Sequence, residues 1–356
     1  MDFDDTPEEA AFRARAREWL AANAIPKGSP EDFSAGHFSG NIDGDEYIKR
    51  CRWWQGQLYE GGWAGISWPK EYGGRGASLI QQLIWFEEYG RLGLPGIDAC
   101  FVGLSHAGPT LMARATEEQK GFHLPKILRG DVVWCQGFSE PGAGSDLASL
   151  QTRAEVDGDE LVVTGQKIWT SFADVADWQE LLVRTDRHVP KHRGITWVIC
   201  DIHTPGIEVR PIETMDHDHE FCEVFYDEVR VPLANVVGDL NDGWSVAMST
   251  LAFERGTAFT LSQVRLARIV EDLIDEAKSR TGPDGRRPAI ADDELAQRIY
   301  RLALDVIGPD ALHFISRWAP GGWSGNYLYS YAVSIGGGTS EIQRNIIGER
   351  VLGLPR

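Results

Sequence analysis

Apolar residues recur at helical spacing from the start of the chain. Thr6-Pro7-Glu8-Glu9 combines a capping threonine, proline at the first helical position and glutamate three residues after the cap, which predicts a helix start. The apolar positions that follow lie on one helix face: Phe12, Ala16, Trp19 and Leu20. Thr116 to Gln119 repeats the capping pattern, and residues 45–60 and 78–92 show the same spacing. The pattern predicts a helical region over residues 1–130.

The pattern changes from residue 131 onward. Short β-branched and aromatic runs flank Asp157-Gly158, a strong hairpin signal. Three more runs of this type are bounded by glycine, proline or aspartate: ITWVICDI, IEVRPI and EVFYDEVRVP. Residues 131–237 are therefore predicted to form a small antiparallel β region.

Helical spacing returns after Gly243. Residues 246–280 contain no proline and are longer than an ordinary globular helix, which indicates a helical bundle over 238–356. Helices, strands and helices in that order predict an α+β fold, and a doubly wound sheet is disfavoured.

Composition narrows the function. The net charge is −18, from 35 basic and 53 acidic residues, and no basic block occurs, which argues against a nucleic-acid or anionic-membrane partner. The five cysteines are scattered without a C-x-x-C pair, so neither a zinc site nor a disulfide framework is indicated. The acidic N-terminus does not resemble a signal peptide, and no run of ~20 apolar residues is found. We expect a cytoplasmic protein.

Two segments combine glycine, hydroxyl and aromatic residues. FSEPGAGSD (138–146) has glycines that permit close backbone approach, so it either presents amides and the Ser145 hydroxyl to a ligand or forms a plain turn. GQKIWTSFADVADW (165–178) places a tryptophan and hydroxyl residues at the end of a predicted strand. The tryptophan either stacks on a planar cofactor or packs in the core, and the two interpretations are equally favoured.

A third segment is VSIGGGTSEIQR (333–344). Three glycines precede Ser340-x-x-Gln343, which is predicted to cap a helix, and a helix N-terminus can bind an anion. A glycine-rich turn without a ligand is the alternative. His217 to Glu220 has metal-binding residue types, but a surface loop is the favoured interpretation, so no metal site is predicted.

Together the three segments resemble the acyl-CoA dehydrogenase family of flavoenzymes. The resemblance extends in order over SWPKEYGGRG (67–76), EVFYDEVRVP (223–232), NVVGDLNDGW (235–244) and IQRNIIGERVLGLPR (342–356). It implies a helical domain, a β domain and a helical bundle, with FAD between the last two.

The resemblance also implies site residues. The positions expected to contact FAD are Gln136, Phe138, Ser139, Ser145, Trp169, Ser171, Arg280, Asp305, Thr339 and Glu341. Ser145 also matches a CoA contact, and Arg280 matches an arginine that reaches the FAD of a neighbouring subunit. The expected reaction converts an acyl-CoA to a trans-2-enoyl-CoA, with hydride transfer to flavin N5.

The catalytic base is the main departure. Many relatives place a glutamate before the final Gly-Thr, where this chain has Gly337. In other relatives the base lies on the long helix, at the position of Glu254 here. A solvated pair of Glu254 and Arg255 is the interpretation without the family. The resemblance makes Glu254 the expected base, assigns Arg255, Gly337 and Gly338 to substrate binding, and places the Gly338 N–H near the carbonyl oxygen.

A second departure lies between Gln297 and Ala303. The family has two further bundle helices there, whereas this chain apparently lacks a helical hairpin near 299–302. Either the protein has lost the hairpin or the sequence omits a segment of the natural chain; omission is favoured because loss would expose an apolar face.

Three functions remain to be compared. The leading hypothesis is a dehydrogenase that passes electrons to electron-transfer flavoprotein, as a homotetramer or an α2β2 heterotetramer. The alternatives are an oxidase or monooxygenase of the same superfamily, and a non-catalytic or half-site subunit of an α2β2 heterotetramer. The small residues Gly103, Ala107 and Gly337 suggest room for a bulky acyl group, such as a branched chain or a steroid side chain.

Overall fold

The computed structural model describes the backbone of residues 5–25, 29, 44–92, 94, 98–254, 264, 270, 295–307, 313–314, 323–333, 335, 339–346 and 349. Helices come first, strands follow, and helices return after residue 243, so the predicted α+β order is confirmed. Among the described helices, none has both the length and the apolar composition that crossing a bilayer requires.

The first region is helical. Its α-helices are α1 (Pro7–Asn23), α2 (Gly44–Glu60), α3 (Leu79–Arg91), α4 (Asp98–Val102), α5 (Gly108–Arg114) and α6 (Glu117–Arg129). The capping boxes predicted at Thr6 and Thr116 are both formed, with each threonine hydroxyl accepting from the N–H three residues later. Gly130 ends α6 in the left-handed conformation.

The second region is one sheet of eight strands. They are β1 (Trp134–Gly137), β2 (Arg153–Asp157), β3 (Glu160–Ser171), β4 (Trp178–Arg184), β5 (Ile195–Asp201), β6 (Ile207–Pro211), β7 (Phe221–Pro232) and β8 (Val236–Val237). The order is β6-β7-β3-β2-β4-β5-β8, with β1 parallel to β4. The β2–β3 hairpin turns at Asp157-Gly158 as predicted, and Gly158 has a φ of 64°.

The described helices after the sheet are α7 (Gly243–Glu254), α8 (Leu295–Ile307), α9 (Trp323–Val333) and α10 (Ser340–Ile346). Most of the predicted long helix beyond Glu254 lies outside the described residues. Helix α8 runs without interruption through residues 299–302, where the family hairpin would enter.

The core crosses the boundary between the first two regions. Buried apolar side chains from Phe12 in α1 to Ala247 in α7 form one continuous cluster that includes strands β1, β4 and β5. The five cysteines, Cys51, Cys100, Cys135, Cys200 and Cys222, are buried free thiols. Residues of β1, of the first half of β3 and of α7 thereby belong to one apolar core.

Candidate functional site

The loop after β1 carries the glycine-rich motif 138–146. Glu140 and Ala143 exchange two backbone hydrogen bonds of 3.0 Å, which form its turn. A Cβ built on Gly142 or Gly144 meets no protein atom within 4 Å, and neither glycine has positive φ. The protein's own packing therefore does not require glycine there, and the exposed face that includes Ser145 is open to a ligand.

A buried ion pair closes the base of this loop. The Glu140 carboxylate accepts from the Gln151 N–H at 2.6 Å, the Thr152 N–H at 2.8 Å and Lys167 Nζ at 2.8 Å. Lys167 Nζ also donates to the Phe138 carbonyl at 3.1 Å, and the Lys167 side chain is fully buried. One carboxylate thus joins both ends of the loop to strand β3.

The environment of this pair shifts both ionisation equilibria. Burial lowers the pKa of Lys167 to about 8, although the charge of Glu140 opposes the shift. Burial acts to raise the pKa of Glu140, but the charge of Lys167 and the hydrogen bonds from its neighbours outweigh this and hold the pKa below its ordinary value. Both groups are therefore charged at neutral pH.

Strand β3 is irregular near its end. Its register against β7 shifts between Lys167 and Thr170, and Trp169 within this bulge has a φ of 61°. Positive φ is uncommon for a bulky residue and tends to occur where function requires it. The bulge turns Trp169 outward, so that 56% of it is exposed and its ring meets Phe221 only at the edge, with centroids 5.9 Å apart. Ser171 follows and is half-buried.

The loop and the bulge are joined directly. The Ile168 N–H donates to the Ser139 carbonyl at 3.0 Å, one residue before Trp169. Phe138 is buried and Ser139 half-buried. The structure thus brings the predicted residues Phe138, Ser139 and Trp169 to one place.

A second polar cluster joins β1 to the helical region. Gln136 Nε2 donates to Glu180 Oε1 on β4 at 2.8 Å and lies 3.2 Å from His106 Nδ1. His106 Nδ1 is 3.5 Å from the same carboxylate oxygen, and both His106 and Glu180 are buried. The predicted cofactor residue Gln136 is therefore held in place from two sides.

His106 belongs to one turn of π-helix, Gly103–Ala107, between α4 and α5. The Gly108 N–H donates to the Gly103 carbonyl five residues earlier, and Trp68 Nε1 donates to the Leu104 carbonyl at 2.9 Å. Such turns often occur at functional sites. Trp68 of the SWPKEYGGRG segment therefore stabilises this turn.

The small residues of this turn do not indicate an open pocket, contrary to the expectation from sequence. Ala107 is fully buried, and a Cβ on Gly103 would lie 3.1 Å from the Ile127 side chain and 3.5 Å from that of Trp134. Their small size allows close packing against α6 and β1.

Helix α7, whose last residue is Glu254, packs against the π-turn, α5 and β5. Thr250 Oγ1 accepts from Thr110 Oγ1 at 2.9 Å, and Ser249 Oγ accepts from the Arg114 guanidinium at 3.0 Å. For Glu254 the backbone position is described and the side chain is not. The predicted base is thus on a helix that contacts the same π-turn as Gln136.

The remaining predicted residues are in the last region. Asp305 is exposed on α8, and Glu341 is described by its backbone alone in α10. Arg255, Arg280, Gly337 and Gly338 lie outside the described residues. The roles of these residues stay predictions.

The predicted cap of α10 is shifted by one residue. Thr339, not Ser340, precedes the helix, and its hydroxyl accepts from the Ile342 N–H at 3.4 Å. Thr339 is half-buried. The Thr339 hydroxyl therefore caps the helix, which agrees with the preference of threonine for the N-cap position.

The segment from His217 to Glu220 is only partly at the surface. His217 is exposed and its ring bonds Glu213 at 2.8 Å, whereas Asp218 is buried. Within the part of the chain that the structure describes, no three His, Cys, Asp or Glu side chains are grouped so that they could hold a metal ion.

A cavity of about 210 Å³ lies beside the far end of the loop. It is lined by Ser149, Gln151, Arg184, Asp186, Arg187, Val189 and Lys191. Arg184 is bonded to the Ala148 carbonyl at 2.6 Å, so this cation also holds the loop end in place. Three of the lining residues are basic and one is acidic, and Lys191 is paired with Asp146 at 2.7 Å.

The site as a whole has features that suit a flavin. The Trp169 indole is exposed and could stack on a ring, and the glycine loop beside it is open to close approach. The next residue, Thr170, has a buried hydroxyl without a hydrogen-bond partner among the described residues. These are the contacts that a planar, polar-edged ring would use. The residues present therefore fit the flavin that the resemblance implies.

Four of these residues were not identified from the sequence: Glu140, Lys167, Thr170 and Glu180. Lys167 had a signal, because it occupies an inward position in the alternation that includes Leu161 and Val163. Glu180 also had a signal, because it lies in a strand whose residues are almost all buried.

Comparison with known proteins agrees with this geometry. The chain matches the models of the acyl-CoA dehydrogenase N-terminal domain over residues 6–131, the middle domain over 135–229 and the C-terminal domain over 290–352. It is 38% identical to acyl-CoA dehydrogenase IpdE1 of Mycobacterium tuberculosis, over 97% of each chain. It is 37% identical to acyl-CoA dehydrogenase FadE26 of the same organism, over 100% of this chain and 99% of the relative.

Two solved structures are also similar. The Tcur3481-Tcur3483 steroid ACAD and the ChsE4-ChsE5 complex from M. tuberculosis each align with a TM-score of 0.81 at 32% identity, over 100% of both chains. The alignment with FadE26 spans 409 positions, more than the 356 residues here, so that relative carries residues that this chain lacks. The chain belongs to the acyl-CoA dehydrogenase family.

Proposed function

We propose that this chain catalyses the α,β-dehydrogenation of a CoA thioester, with Glu254 as the base that removes the α-proton. The observation that carries the proposal is the shared π-turn: Gln136 contacts it through His106, and the helix that ends at Glu254 packs against it. This arrangement supports a site in which a base on α7 faces a cofactor held by β1 and β3.

FAD, when bound, supplies the hydride acceptor. Trp169 would stack against the ring system, while Ser139, Ser171 and the open loop would contact its polar edge. Asp305, Thr339, Glu341 and Arg280 are proposed to hold the rest of the cofactor on the evidence of the resemblance alone.

The chain's own residues would handle the proton. The α-proton of a thioester is weakly acidic, so negative charge on the carbonyl oxygen must be stabilised as the proton leaves, here by the Gly338 N–H. By the resemblance, Gly337 occupies the position of the other family base, and its lack of a side chain would leave room for Glu254 beside the α-carbon. Arg255 and Ser145 would contact substrate, and the cavity lined by Arg187 and Lys191 would accept the anionic end of CoA.

The substrate class and the partners follow from the relatives. Because a similar structure is titled a steroid ACAD, we propose a steroid-derived acyl-CoA in preference to a straight chain. Electrons would pass to electron-transfer flavoprotein. The printed pairs Tcur3481-Tcur3483 and ChsE4-ChsE5 favour an assembly with a second dehydrogenase chain.

Those pairs also favour one competing function, a half-site subunit whose partner completes the catalytic site. The two functions differ in what the isolated chain does: a complete site binds FAD and is reduced by substrate alone, whereas a half-site requires the partner chain.

The test is anaerobic bleaching of the flavin absorbance by short, long, branched and steroid-type acyl-CoAs. Wild type is compared with Glu254→Gln and with Glu18→Gln, an exposed helical glutamate as the matched control. We expect steroid-type esters to bleach wild type and Glu18→Gln, and Glu254→Gln to retain FAD without bleaching. Equal bleaching of all three proteins would overturn the assignment of the base.

A further inference from the structure

The buried pair of Glu140 and Lys167 has no role in the proposed chemistry, yet it lies at the base of the cofactor loop. Neither residue is placed to contact substrate, because Lys167 is fully buried and Glu140 nearly so. Their contacts instead reach the loop at three backbone positions: the Phe138 carbonyl and the Gln151 and Thr152 N–H groups.

These three positions determine how the loop stands on the sheet. Phe138 is the first residue of the loop, and residues 151–152 lead into β2. Between them, a Cβ on Gly142 or Gly144 would meet no atom within 4 Å, whereas Ala143 is buried and Asp146 pairs with Lys191 at 2.7 Å. The buried pair therefore anchors the two ends of the loop, and other contacts support its middle.

The pair also sets the position of the loop relative to Trp169. Lys167 is two residues before Trp169, and the next residue, Ile168, bonds the Ser139 carbonyl. The same lysine thus contacts the loop start through its side chain and leads into the bulge through its backbone. The ion pair and the Ile168–Ser139 hydrogen bond together connect the two cofactor-facing segments.

Stability alone does not account for such a pair. Removing two charges from water is unfavourable, and well-packed apolar residues often stabilise the fold equally well. A fixed relative position of two backbone segments is something that an apolar pair does not provide, because its contacts are not directional.

We infer that Glu140 and Lys167 are positioning residues for the cofactor, which hold loop 138–152 against β3 at the separation that the flavin requires. This inference rests on the proposed function, since it assumes that FAD binds here.

The experiment measures two properties of the full-length chain after removal of flavin: its melting temperature and its FAD dissociation constant, from quenching of flavin fluorescence. The variants are Glu140→Gln, Lys167→Met and the double variant. Arg230→Gln is the control, because Arg230 forms an exposed ion pair with Asp157 and Glu160 at the far end of the same sheet.

The double variant is decisive, because either single variant leaves an unpaired buried group and lowers stability for that reason alone. We expect the double variant to regain most of the lost melting temperature, yet to bind FAD about tenfold or more weakly, because an unfixed loop must be ordered on binding. The control should match wild type in both properties.

A double variant with wild-type FAD affinity would overturn the inference and show that the pair serves the fold alone. Failure of the wild-type chain to bind FAD would instead overturn the proposed function. The two failures are therefore distinguishable in one set of titrations.

Discussion

The helical region and the β region are stabilised in different ways. In the helical region, aromatic rings pack against each other: Trp63 and Trp85 stack with centroids 4.5 Å apart, and Phe12 meets Trp63 edge-on at 5.7 Å. Its charged contacts lie towards the surface, where Glu88 is buried but its partner Arg17 has a side chain 57% exposed.

The β region buries polar and charged groups at its centre. Two examples are the pair of Glu140 with Lys167 and the hydrogen bond of Gln136 with Glu180. Apolar packing tolerates small displacements, whereas buried polar groups must keep their partners. The helical region therefore contributes mainly to the stability of the fold, whereas the β region fixes the positions of the side chains around the candidate site.

The largest expected effect tests the stability of the helical region. Trp63→Ala removes a buried stacked ring and should lower the free energy of unfolding by about 3 to 5 kcal/mol. Denaturant unfolding followed by circular dichroism measures the loss, and FAD titration of the folded protein should give wild-type affinity. A weaker FAD affinity in the folded variant would contradict the view that the helical region contributes to stability and not to the position of the cofactor residues.

A second prediction concerns the π-turn between the regions. A Cβ on Gly108 would overlap the Trp68 ring, so Gly108→Ala should destabilise the protein by about 1 to 3 kcal/mol. Gly121→Ala in α6 is the matched control, because no atom lies within 4 Å of the new Cβ, and it should stabilise by about 0.5 to 1 kcal/mol. Equal melting temperatures for the two variants would contradict the described packing.

A third prediction uses His123, a titratable group among aromatic rings. Burial lowers the pKa of His123 to about 4, and the charge of Lys126 adds to this. The unfolded chain therefore takes up the proton first, and stability should fall as pH drops from about 6.5 to 4, by about 2 kcal/mol. His123→Gln should lack this part of the pH dependence; identical slopes for both proteins would show that another group is responsible.

The smallest effect is expected at the surface of the β region. Arg230 pairs with Asp157 and Glu160 in solvent, where such contacts contribute little. The melting temperature of Arg230→Gln should stay within the error of the measurement in low and high salt. A large shift would mean that exposed pairs contribute to this sheet as much as buried ones.

Local signals predicted the fold well. Helix starts at Thr6 and Thr116 and the turn at Asp157-Gly158 depend on residues within four positions of each other, so they could be recognised without tertiary information. The cap of α10 was off by one residue because Thr339 and Ser340 are both good capping residues.

The site could be predicted only in part. Gln136, Ser139 and Trp169 were named through the resemblance, but the pair that connects them joins Glu140 to a lysine 27 residues later. That contact joins a loop to a later strand, and the π-turn accepts a hydrogen bond from Trp68 of another segment. Neither follows from periodicity.

The central claim is that a carboxylate on α7 is the base and that Gly337 leaves the other family position empty. Its most direct test is the rate of anaerobic flavin reduction, by the acyl-CoA that best bleaches wild type, in Glu254→Gln and in the double variant Glu254→Gln with Gly337→Glu, each at matched FAD content. Glu254→Gln should lose reduction by at least about a thousandfold, and the second carboxylate should restore part of it. Reduction of Glu254→Gln at the wild-type rate would contradict the account.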